Sequence, residues 1–459
     1  MDEVVALILA AGLSKRMKSE TIKVLHRVGG APAVARVVRA AGGAGAARTV
    51  VVVGHQGELV KAALGAEATF VEQPSPRGTG DAVLCAESAT ANAENVLVLY
   101  GDGAILTSEL IGELLRRHRE GGAAATLLTG EMDDPAGYGR IVRGPDGVQA
   151  IIEDADCTPE QRRIREWYTG VACYRRADLY DALHQVGTAN AKGEVYLTDA
   201  VGVLVRAGRR VEAYCSPRAE EAMGVDDRAD LAEAERIIKA RVLARLFQSG
   251  VTVRDPATTY VDERAEIGRD TILEPMTIIE GACRIGREAI IGPGAHLVDS
   301  DVGDGARITH SVVEHSRVAD GCAIGPFAHL RPGTVLGADV EVGNYAEIKN
   351  STIGAGSKAH HHSYVGDADL GERVNVGAGV ITVNYDGQRK HRTVVADGAF
   401  LGCNVNLIAP ITVGQGAYVA AGSTVNQPVP AGALAIARER QSNKDGWAAR
   451  RDAQHDEKG

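Results

Sequence analysis

The chain has 459 residues, of which 45% are hydrophobic and 24% charged, and its formal net charge at pH 7 is −10. This length exceeds what one hydrophobic core usually serves, so two domains are expected. The negative charge without a basic stripe argues against nucleic-acid binding. No apolar run is long enough to cross a bilayer, so membrane association is not expected either.

The seven cysteines are scattered along the chain and form no Cys-x-x-Cys pair. An odd, unclustered set is typical of reduced thiols and argues against a disulfide framework or a zinc site. The apolar start of the chain, Val4–Ala11, lacks the cationic segment of a signal peptide. We therefore predict a cytoplasmic protein whose partners are small molecules.

Residues 1–224 alternate between short apolar runs and helical patterns, which predicts an α/β domain with a Rossmann-like, mostly parallel sheet. The predicted strands are Val4–Leu9, Thr49–Val53, Val96–Tyr100 and Ala124–Leu128. The predicted helices are Pro32–Ala41, Gly80–Ala89 and Glu109–Arg119. Ligands bind such sheets at the carboxyl ends of the strands, where Gly12, Gly101 and Asp102 fall.

A single long helical pattern covers Asp226–Phe247, where apolar residues recur at three- and four-residue steps from Leu231 to Val242. Gly250 supplies a stop signal. We predict a linker helix, residues 225–249, between two domains. The alternative, a surface helix packed on the first domain, stays open at this stage.

The period of the apolar residues changes to six in the second domain, predicted at residues 250–440. The aliphatic residues at this period are Val261, Ile267, Leu273, Ile279, Ile285, Ile291 and Leu297. Small residues follow four positions later, at Ala265, Thr271, Thr277, Cys283, Ala289 and Ala295. A period of six is typical of a hexapeptide-repeat parallel β-helix, in which three hexapeptides form one triangular coil. The pattern slips near Ser300 and resumes, which gives about ten stacked coils.

Two segments depart from the repeat. The stretch Val383–Val395 carries a basic run, Arg389–Arg392, and is predicted to project from the coils as a loop. The polar tail, residues 441–459, is expected to be loosely ordered.

Several motifs, taken together, resemble one family. In the second domain they read IGPFAHLRPG at Ile324–Gly333, VGNYAEIK at Val342–Lys349, SKAHHHSY at Ser357–Tyr364, NVGAG at Asn375–Gly379 and NYDG at Asn384–Gly387. In the first domain they read LAAG at Leu9–Gly12, GTG at Gly78–Gly80 and YGD at Tyr100–Asp102. These segments are similar to the bifunctional N-acetylglucosamine-1-phosphate uridyltransferase/glucosamine-1-phosphate acetyltransferase family.

The resemblance implies a left-handed β-helix that uses acetyl-CoA to acetylate glucosamine-1-phosphate, and a homotrimer in which the basic loop reaches a neighbouring subunit's site. It also implies that the first domain transfers a uridyl group from UTP to N-acetylglucosamine-1-phosphate, with Mg²⁺, and releases pyrophosphate. Together, the two implied reactions form UDP-N-acetylglucosamine.

For the acetyltransferase the resemblance names His361 as the general base. It implies sugar-phosphate contacts at Arg331, Lys349, Tyr364, Asn375 and Lys390. It implies acetyl-CoA contacts at Ala378, Asn384, Tyr385, Cys403, Ala421 and Arg438.

The residue types suit this chemistry independently of the resemblance. Acyl transfer to an amine needs a base that titrates near neutral pH, and histidine is such a base. We expect Glu347 to orient His361, as a carboxylate does in a catalytic triad. Arginine and lysine side chains suit a phosphate-bearing substrate. Strand alternation places His361 opposite His360 and His362, which argues against a metal site at the three histidines.

For the uridyltransferase the resemblance implies a nucleotide and sugar site at Leu9, Ala10, Ala11, Gly12, Lys23, Gln73, Gly78, Thr79, Tyr100, Gly101, Asp102, Gly139, Glu153, Tyr168 and Asp226. Arg16 and Lys23 match its phosphate-binding cations. Asp102 and Asp226 match its Mg²⁺ ligands, and carboxylate oxygens are ligands that Mg²⁺ prefers.

The chain also departs from the family pattern. Ser14 and Lys15 replace a glycine and a threonine of the nucleotide turn, and Ile22 replaces a proline. The remaining departures are Gly103-Ala104 for Val-Pro, Asp81 for histidine, Tyr168 and Asp226 for asparagines, Ala155 for lysine, His360 for glycine and Cys403 for serine. Three alternatives therefore stay open: an acetyltransferase with a degenerate or altered first domain, a different sugar nucleotidyltransferase whose β-helix serves assembly, and a non-enzymatic scaffold.

Overall fold

The structure, a computed structural model, describes residues 3–145 and 147–456 and divides into two compact units. The division falls between Arg241 and Val242, within the long helix that the sequence predicts. Each unit has its own architecture. Among the described residues, every helix is too short or too polar to cross a membrane.

In the part of the first unit that the structure describes, there are eleven strands and six α-helices, followed by the long helix α7. The strands are β1 Val4–Ala10, β2 Arg27–Val28, β3 Ala31–Pro32, β4 Arg48–Val53, β5 Thr69–Glu72, β6 Asn95–Tyr100, β7 Ala125–Glu131, β8 Arg140–Gly144, β9 Gly147–Ile152, β10 Glu166–Arg175 and β11 Val211–Cys215. The helices are α1 Ala33–Gly43, α2 Gly57–Leu64, α3 Thr79–Cys85, α4 Ser108–Gly121, α5 Arg176–Leu183, α6 Asp199–Arg206 and α7 Arg228–Gln248.

The main sheet of this unit runs in the order β11-β7-β10-β6-β1-β4-β5, and only β10 in this path is antiparallel to its neighbours. The central strand β1 is buried along its whole length because helices cover both faces of the sheet. Its alternate residues enter two different cores: Val5 and Leu7 lie in one, and Ala6 and Ile8 in the other. The prediction of a mixed, mostly parallel α/β sheet is confirmed.

The second unit is a prism of three parallel sheets, which we call faces I, II and III, with 11, 10 and 9 strands. Face I consists of Thr252–Val253, Ile272–Leu273, Ile290–Ile291, Arg307–Ile308, Ala323–Ile324, Glu341–Asn344, Lys358–His361, Asn375–Val376, Phe400–Leu401, Tyr418–Val419 and Leu434–Ala435. Face II consists of Tyr260–Val261, Ile278–Glu280, His296–Val298, Val312–Glu314, His329–Leu330, Glu347–Lys349, Tyr364–Gly366, Ile381–Val383, Asn406–Ile408 and Thr424–Val425. Face III consists of Glu266–Ile267, Arg284–Ile285, Asp301–Val302, Arg317–Val318, Val335–Leu336, Thr352–Ile353, Ala368–Leu370, Thr393–Val395 and Ile411–Val413.

The hexapeptide period explains the interior of the prism. All seven aliphatic residues of the predicted run are buried, and so are the six small residues that follow them. The slip near Ser300 is a coil side shortened by one residue, because the buried Val302 follows the buried Leu297 after five positions instead of six. The predicted left-handed β-helix of hexapeptide repeats is confirmed.

Three local features differ from or refine the sequence-based expectations. The helix predicted at Gly80–Ala89 ends earlier, at Cys85. The basic stretch forms a small hairpin between Ile381–Val383 and Thr393–Val395, closed by an antiparallel bridge of Tyr385 with Lys390. The tail was expected to be loosely ordered, but it contains a further helix, α8 Trp447–Asp456, whose alanines and arginines favour helix formation.

His118 of α4 is a buried histidine of the first unit. Its Nδ1 lies 2.9 Å from Thr126 Oγ1, and its Nε2 lies 3.0 Å from Asn95 Oδ1. Burial, together with the charges of Arg175 and Arg119, lowers the pKa of His118 from 6.5 to about 4. The folded protein therefore holds this imidazole neutral at pH values where the unfolded chain protonates it.

We predict that this histidine makes folding sensitive to acid. The unfolded chain binds a proton on His118 below pH 6.5 and the folded chain does so only near pH 4, so its contribution is complete above 6.5 and is lost as the pH falls toward 4. The loss amounts to at most about 3 kcal/mol. The midpoint temperatures of thermal unfolding of the wild-type protein and of the His118→Gln variant should therefore converge as the pH falls. A difference that is constant across this pH range would contradict the assignment.

Candidate active sites

A cavity of about 330 Å³ opens at the carboxyl ends of the central strands of the first unit. Ten of the predicted residues line it: Leu9, Ala10, Ala11, Gly12, Lys23, Gln73, Gly78, Thr79, Tyr100 and Asp102. Five further lining residues were not predicted: Leu13, Val24, Pro76, Ala82 and Glu194. The chain segments that carry these residues are far apart in sequence, and the parallel strand order brings them to one edge of the sheet.

Two glycines of the cavity wall have different reasons to be glycine. A Cβ at Gly12 would meet nothing within 4 Å, so this glycine leaves open space on the cavity side of the turn. Gly78 has a φ of +113°, and a Cβ there would lie 2.4 Å from the Val195 carbonyl oxygen. Gly12 thus suits the close approach of a ligand, whereas Gly78 is required by the fold itself.

The nucleotide turn keeps its backbone despite two departures from the family pattern. Ser14 has a φ of +56°, in the left-handed region that the glycine it replaces would favour. Its Oγ accepts a hydrogen bond of 2.8 Å from the backbone N–H of Lys23. Ile22 has a φ of −66°, the value to which a proline ring would fix it. Both substitutions therefore preserve the path of the chain into Lys23.

Lys23 joins the two predicted metal ligands. Its Nζ forms an ion pair with Asp102, at the end of β6, and lies 2.7 Å from Asp226 Oδ1. Burial lowers the pKa of Lys23, but the charges and hydrogen bonds of Asp102 and Asp226 outweigh burial and raise it. Arg16 Nη2 lies 2.8 Å from the other oxygen of Asp226. Two carboxylates that already share one cation are a donor set that fits Mg²⁺.

Gly224 was not predicted, yet it borders the same carboxylate. A Cβ at Gly224 would lie 3.0 Å from the Asp102 carboxyl carbon, and the N–H of Val225 donates to the Asp102 carbonyl oxygen at 3.0 Å. The segment before α7 thus packs directly on Asp102. No sequence signal identified this glycine, because the contact is made between segments more than a hundred residues apart.

Gln73 is held by an acidic neighbour. Its Nε2 donates to the Gly78 carbonyl oxygen at 3.1 Å and to Asp81 Oδ2 at 2.8 Å. Asp81 is buried and also pairs with Arg77 at 2.9 Å. Asp81, which replaces the family's histidine, therefore fixes the orientation of the amide that the resemblance assigns to the nucleotide and sugar site.

The remaining predicted residues of this unit lie outside the cavity lining. Gly101 donates its N–H to the Leu9 carbonyl oxygen at 2.9 Å, and Gly139 accepts from the N–H of Tyr168 at 2.8 Å. Burial raises the pKa of Glu153, which accepts a hydrogen bond from Thr198. Tyr168 is only 5% exposed and packs in the core, so its side chain is not presented to the cavity.

In the second unit the predicted base and three predicted acetyl-CoA residues occupy one column. Parallel register pairs Asn344 with His361 and, two residues before the column, runs from Ala359 through Val376, Leu401 and Val419 of face I. Extending that register by two residues aligns His361, Ala378, Cys403 and Ala421. Backbone hydrogen bonds of 2.7 to 2.9 Å tie the successive turns at Gly379, Asn404 and Gly422. A histidine and three small residues therefore stack along the corner where face I turns into face II.

His361 is oriented by Asn344 and not by Glu347. Its Nδ1 lies 3.2 Å from Asn344 Oδ1, whereas Glu347 pairs with Arg331 at 2.8 Å. The expectation that Glu347 orients the base is therefore wrong. His360 forms its own pair with Glu341 at 2.7 Å, and its ring stands edge-on to that of His361 at 5.8 Å between centroids.

The predicted phosphate clamp forms on face II within one chain. The ammonium of Lys390, in contact with that of Lys349, lowers the pKa of Lys349, and burial and the charge of Arg331 act in the same direction. The hairpin thus brings Lys390 to a lysine of its own subunit, whereas the resemblance implied that this loop reaches a neighbour. Three cations that repel one another mark a position for an anion.

Asp367 is a buried carboxylate that interacts with this cationic cluster. It accepts hydrogen bonds of 2.5 Å from Asn350 and Asn384, and it is buried. Burial raises its pKa, but the two amide hydrogen bonds and the charges of Lys349 and Lys390 outweigh burial and lower it. Asp367 was not predicted, and it links the predicted Asn384 to the cationic cluster.

The other predicted residues are placed as follows. Asn384 Nδ2 lies 3.4 Å from Tyr364 Oη, so these two belong to the same cluster. Asn375 lies on face I, next to Lys358 in the register. Tyr385 is exposed and donates to the carbonyl oxygen of Gly387 in its own hairpin. Arg438 is exposed and lies beside Gly422, near the upper end of the column.

Comparisons with known proteins find relatives along the whole chain. A family model described as the MobA-like NTP transferase domain matches residues 6–193, and one described as the GMPPB C-terminal domain matches residues 256–343. A solved UDP-glucose pyrophosphorylase complexed with UDP-glucose has 17% sequence identity and a TM-score of 0.42, and the match covers 52% of this chain and 99% of that one.

Three relatives share one name, Bifunctional protein GlmU. The protein of Geobacillus thermodenitrificans is 48% identical over 97% of each chain. That of Acetivibrio thermocellus is 45% identical over 100% of each chain. That of Exiguobacterium sp. is 48% identical over 97% of this chain and 99% of its own. The family resemblance of the sequence motifs is confirmed, and the chain belongs to the family of bifunctional GlmU proteins.

Proposed function

We propose that the chain is a bifunctional enzyme that N-acetylates glucosamine-1-phosphate with acetyl-CoA and then transfers a uridyl group from UTP to the N-acetylglucosamine-1-phosphate. The acetyl transfer belongs to the predicted domain at residues 250–440, and the uridyl transfer to that at 1–224, with residues 225–249 as linker and 441–459 as tail. The observation that carries the proposal is that each half contains its own assembled cluster: the His361 column in one, and the cavity with Lys23 and two carboxylates in the other.

The acetyl transfer needs a base that removes a proton from the attacking amine. Asn344 Oδ1 is an acceptor 3.2 Å from His361 Nδ1, so the neutral ring carries its proton on Nδ1 and leaves Nε2 free to accept one. Ala378, Cys403 and Ala421 are small side chains along the same corner, where we expect the acetyl donor to lie. Direct transfer between bound substrates requires no cysteine or serine nucleophile.

The clamp of Arg331, Lys349 and Lys390 supplies the site for the sugar phosphate. Binding a dianion between these cations relieves the repulsion that lowers the pKa of Lys349. Tyr364 lies at the border of the cluster, beside Asn384, and we expect its side chain to contact the sugar. The substrate's phosphate is thereby held on face II while the amine faces the corner with His361.

The uridyl transfer uses the cavity of the first domain. Gly12 leaves room for the nucleotide, and Gln73, fixed by Asp81, offers its amide to the base. Lys23 and Arg16 supply positive charge for the phosphates. Asp102 and Asp226 would hold Mg²⁺, which neutralises charge on the phosphates and on the leaving pyrophosphate.

The alternative of an acetyltransferase with a degenerate first domain is not favoured by the local structure. The Ser14 and Ile22 substitutions keep the backbone geometry of the turn. The Tyr168 side chain is buried and does not line the cavity. The site residues that differ from the family pattern are therefore accommodated, and the cavity stays open.

We predict that the two activities can be removed one at a time. His361→Ala should lower thiol release from acetyl-CoA with glucosamine-1-phosphate by about a hundredfold or more, because it removes the base. Asp102→Asn should lower pyrophosphate release from UTP and N-acetylglucosamine-1-phosphate with Mg²⁺ and spare thiol release. Each variant is the control for the other. A wild-type protein that releases thiol alone would assign only the acetyl transfer to the chain, and one that releases pyrophosphate alone would leave the β-helix as a scaffold.

We predict that Lys349 acts on the substrate's phosphate. Lys349→Met should raise the KM for glucosamine-1-phosphate about tenfold or more and weaken inhibition by inorganic phosphate, because one cation of the clamp is lost. Lys358→Met is the matched control, since Lys358 pairs with Glu341 on face I and not with the clamp. Equal KM values for the two variants would place the phosphate elsewhere.

We propose a cytoplasmic enzyme that assembles as a homotrimer. The seven cysteines are all free thiols, which suits a reducing compartment. Apolar side chains remain exposed on the outer surface of face I, where Phe400 and Tyr418 stack at 5.3 Å between centroids beside the exposed Leu434. Exposed apolar surface of this kind is typical of an interaction site, and a second and third copy of the chain would cover it.

We predict a mass in solution of three times the chain mass of 48.1 kDa, measured by light scattering at micromolar concentration. Phe400→Glu should lower that mass if this surface lies in the interface, because it places a charge among apolar side chains. A wild-type protein with the mass of one chain would refute the trimer.

A further inference from the structure

We propose that Lys23 is a built-in competitor of the metal ion: its ammonium occupies the two carboxylates that bind Mg²⁺ until the phosphates of a nucleotide draw it away. Binding of the metal therefore depends on binding of the nucleotide. The inference rests on the proposed function of the first domain, and it assigns to Lys23 a second role besides contact with phosphate.

The position of the ammonium carries the argument. Lys23 Nζ pairs with Asp102 and lies 2.7 Å from Asp226 Oδ1, so it lies between the two carboxylates. The side chains of Lys23 and Asp102 are only 22% and 10% exposed, so water screens this pair weakly. A divalent cation bound to the same oxygens would lie within a few ångströms of a fixed positive charge. The two cannot occupy the site together at low energy.

Asp226 strengthens this competition. An asparagine, which the family resemblance places at this position, carries no charge, whereas Asp226 holds one cation on each oxygen: Lys23 on Oδ1 and Arg16 on Oδ2. Two carboxylates and two cations make the cluster neutral. As long as both cations remain, the cluster offers a metal ion no net attraction.

Nucleotide phosphates change this balance. A triphosphate brings several negative charges to the cavity that Lys23 lines, and both cations gain stronger partners there. When Lys23 and Arg16 move to the phosphates, Asp102 and Asp226 are left with two uncompensated charges. The metal ion then binds to carboxylates and phosphates together. By thermodynamic linkage, the metal ion tightens nucleotide binding by the same factor.

The test measures binding of Mn²⁺, a paramagnetic substitute for Mg²⁺, to the full-length protein without nucleotide, with free Mn²⁺ followed by electron paramagnetic resonance. Lys23→Met should bind Mn²⁺ about tenfold more tightly than the wild type, because it removes the competing charge. Lys61→Met is the matched control, because Lys61 bridges Glu58 at 2.7 Å and Glu72 at 2.9 Å away from the cavity lining. Its Mn²⁺ affinity should equal that of the wild type.

A second variant keeps the test decisive if Lys23→Met does not fold. Arg16→Gln changes a side chain that is 73% exposed and should tighten Mn²⁺ binding about two- to threefold, since it uncovers one oxygen of Asp226. Equal Mn²⁺ affinity of the wild type and of whichever variant folds would overturn the inference. Pyrophosphate release by the wild type tells the two proposals apart: with release intact, equal affinities refute only the competition, whereas absence of release refutes the proposed uridyl transfer.

Discussion

Parallel hydrogen bonding in register is the constraint on which both sites depend. In the β-helix it places residues of equal position in successive coils directly above one another, so a function that needs a line of side chains requires only one suitable residue per coil. His361 and the small residues above it form such a line. In the α/β domain the same constraint gathers the carboxyl ends of β1 and β6, and with them the cavity.

At the corners of the prism the backbone adopts unfavourable conformations that the strands do not require. The corner beside the His361 column has positive φ at non-glycine residues, including Phe327 at +60°, Tyr345 at +59° and His362 at +39°. Such conformations cost roughly 1 to 2 kcal/mol per residue and persist only where the surrounding structure determines them. Here the neighbouring coils of the prism hold these residues in this conformation. Phe327 and Tyr345 also stack on each other at 5.6 Å between centroids, outside the prism.

The sequence predicts features that depend on residues close together in the chain, and it does not predict contacts between distant segments. The hexapeptide period, the buried strands and the motifs at Leu9–Gly12 and Tyr100–Asp102 are local patterns, and the structure has them where the sequence placed them. The contact of Gly224 with Asp102 and the anchoring of Lys349 and Lys390 by Asp367 join segments distant in sequence, and no local pattern indicates them. The assignment of Glu347 to His361 failed for the same reason, because Arg331, one coil away, takes the carboxylate.

The departures from the family pattern in the first domain differ in kind. Ser14 and Ile22 alter side chains but adopt φ angles that a glycine and a proline allow at these positions, so the backbone of this chain is compatible with the family pattern there. Asp81 and Asp226 instead add negative charge where the pattern has a histidine and an asparagine. Both charges are matched locally, by Arg77 in one case and by Lys23 and Arg16 in the other. The substitutions at Ser14 and Ile22 thus concern the backbone, whereas those at Asp81 and Asp226 redistribute charge within the site. The phosphates and the metal ion carry charge, whereas the sugar ring does not, so added charges affect binding of the former most strongly. We therefore expect this chain to differ from its relatives most in binding the nucleotide and its metal ion.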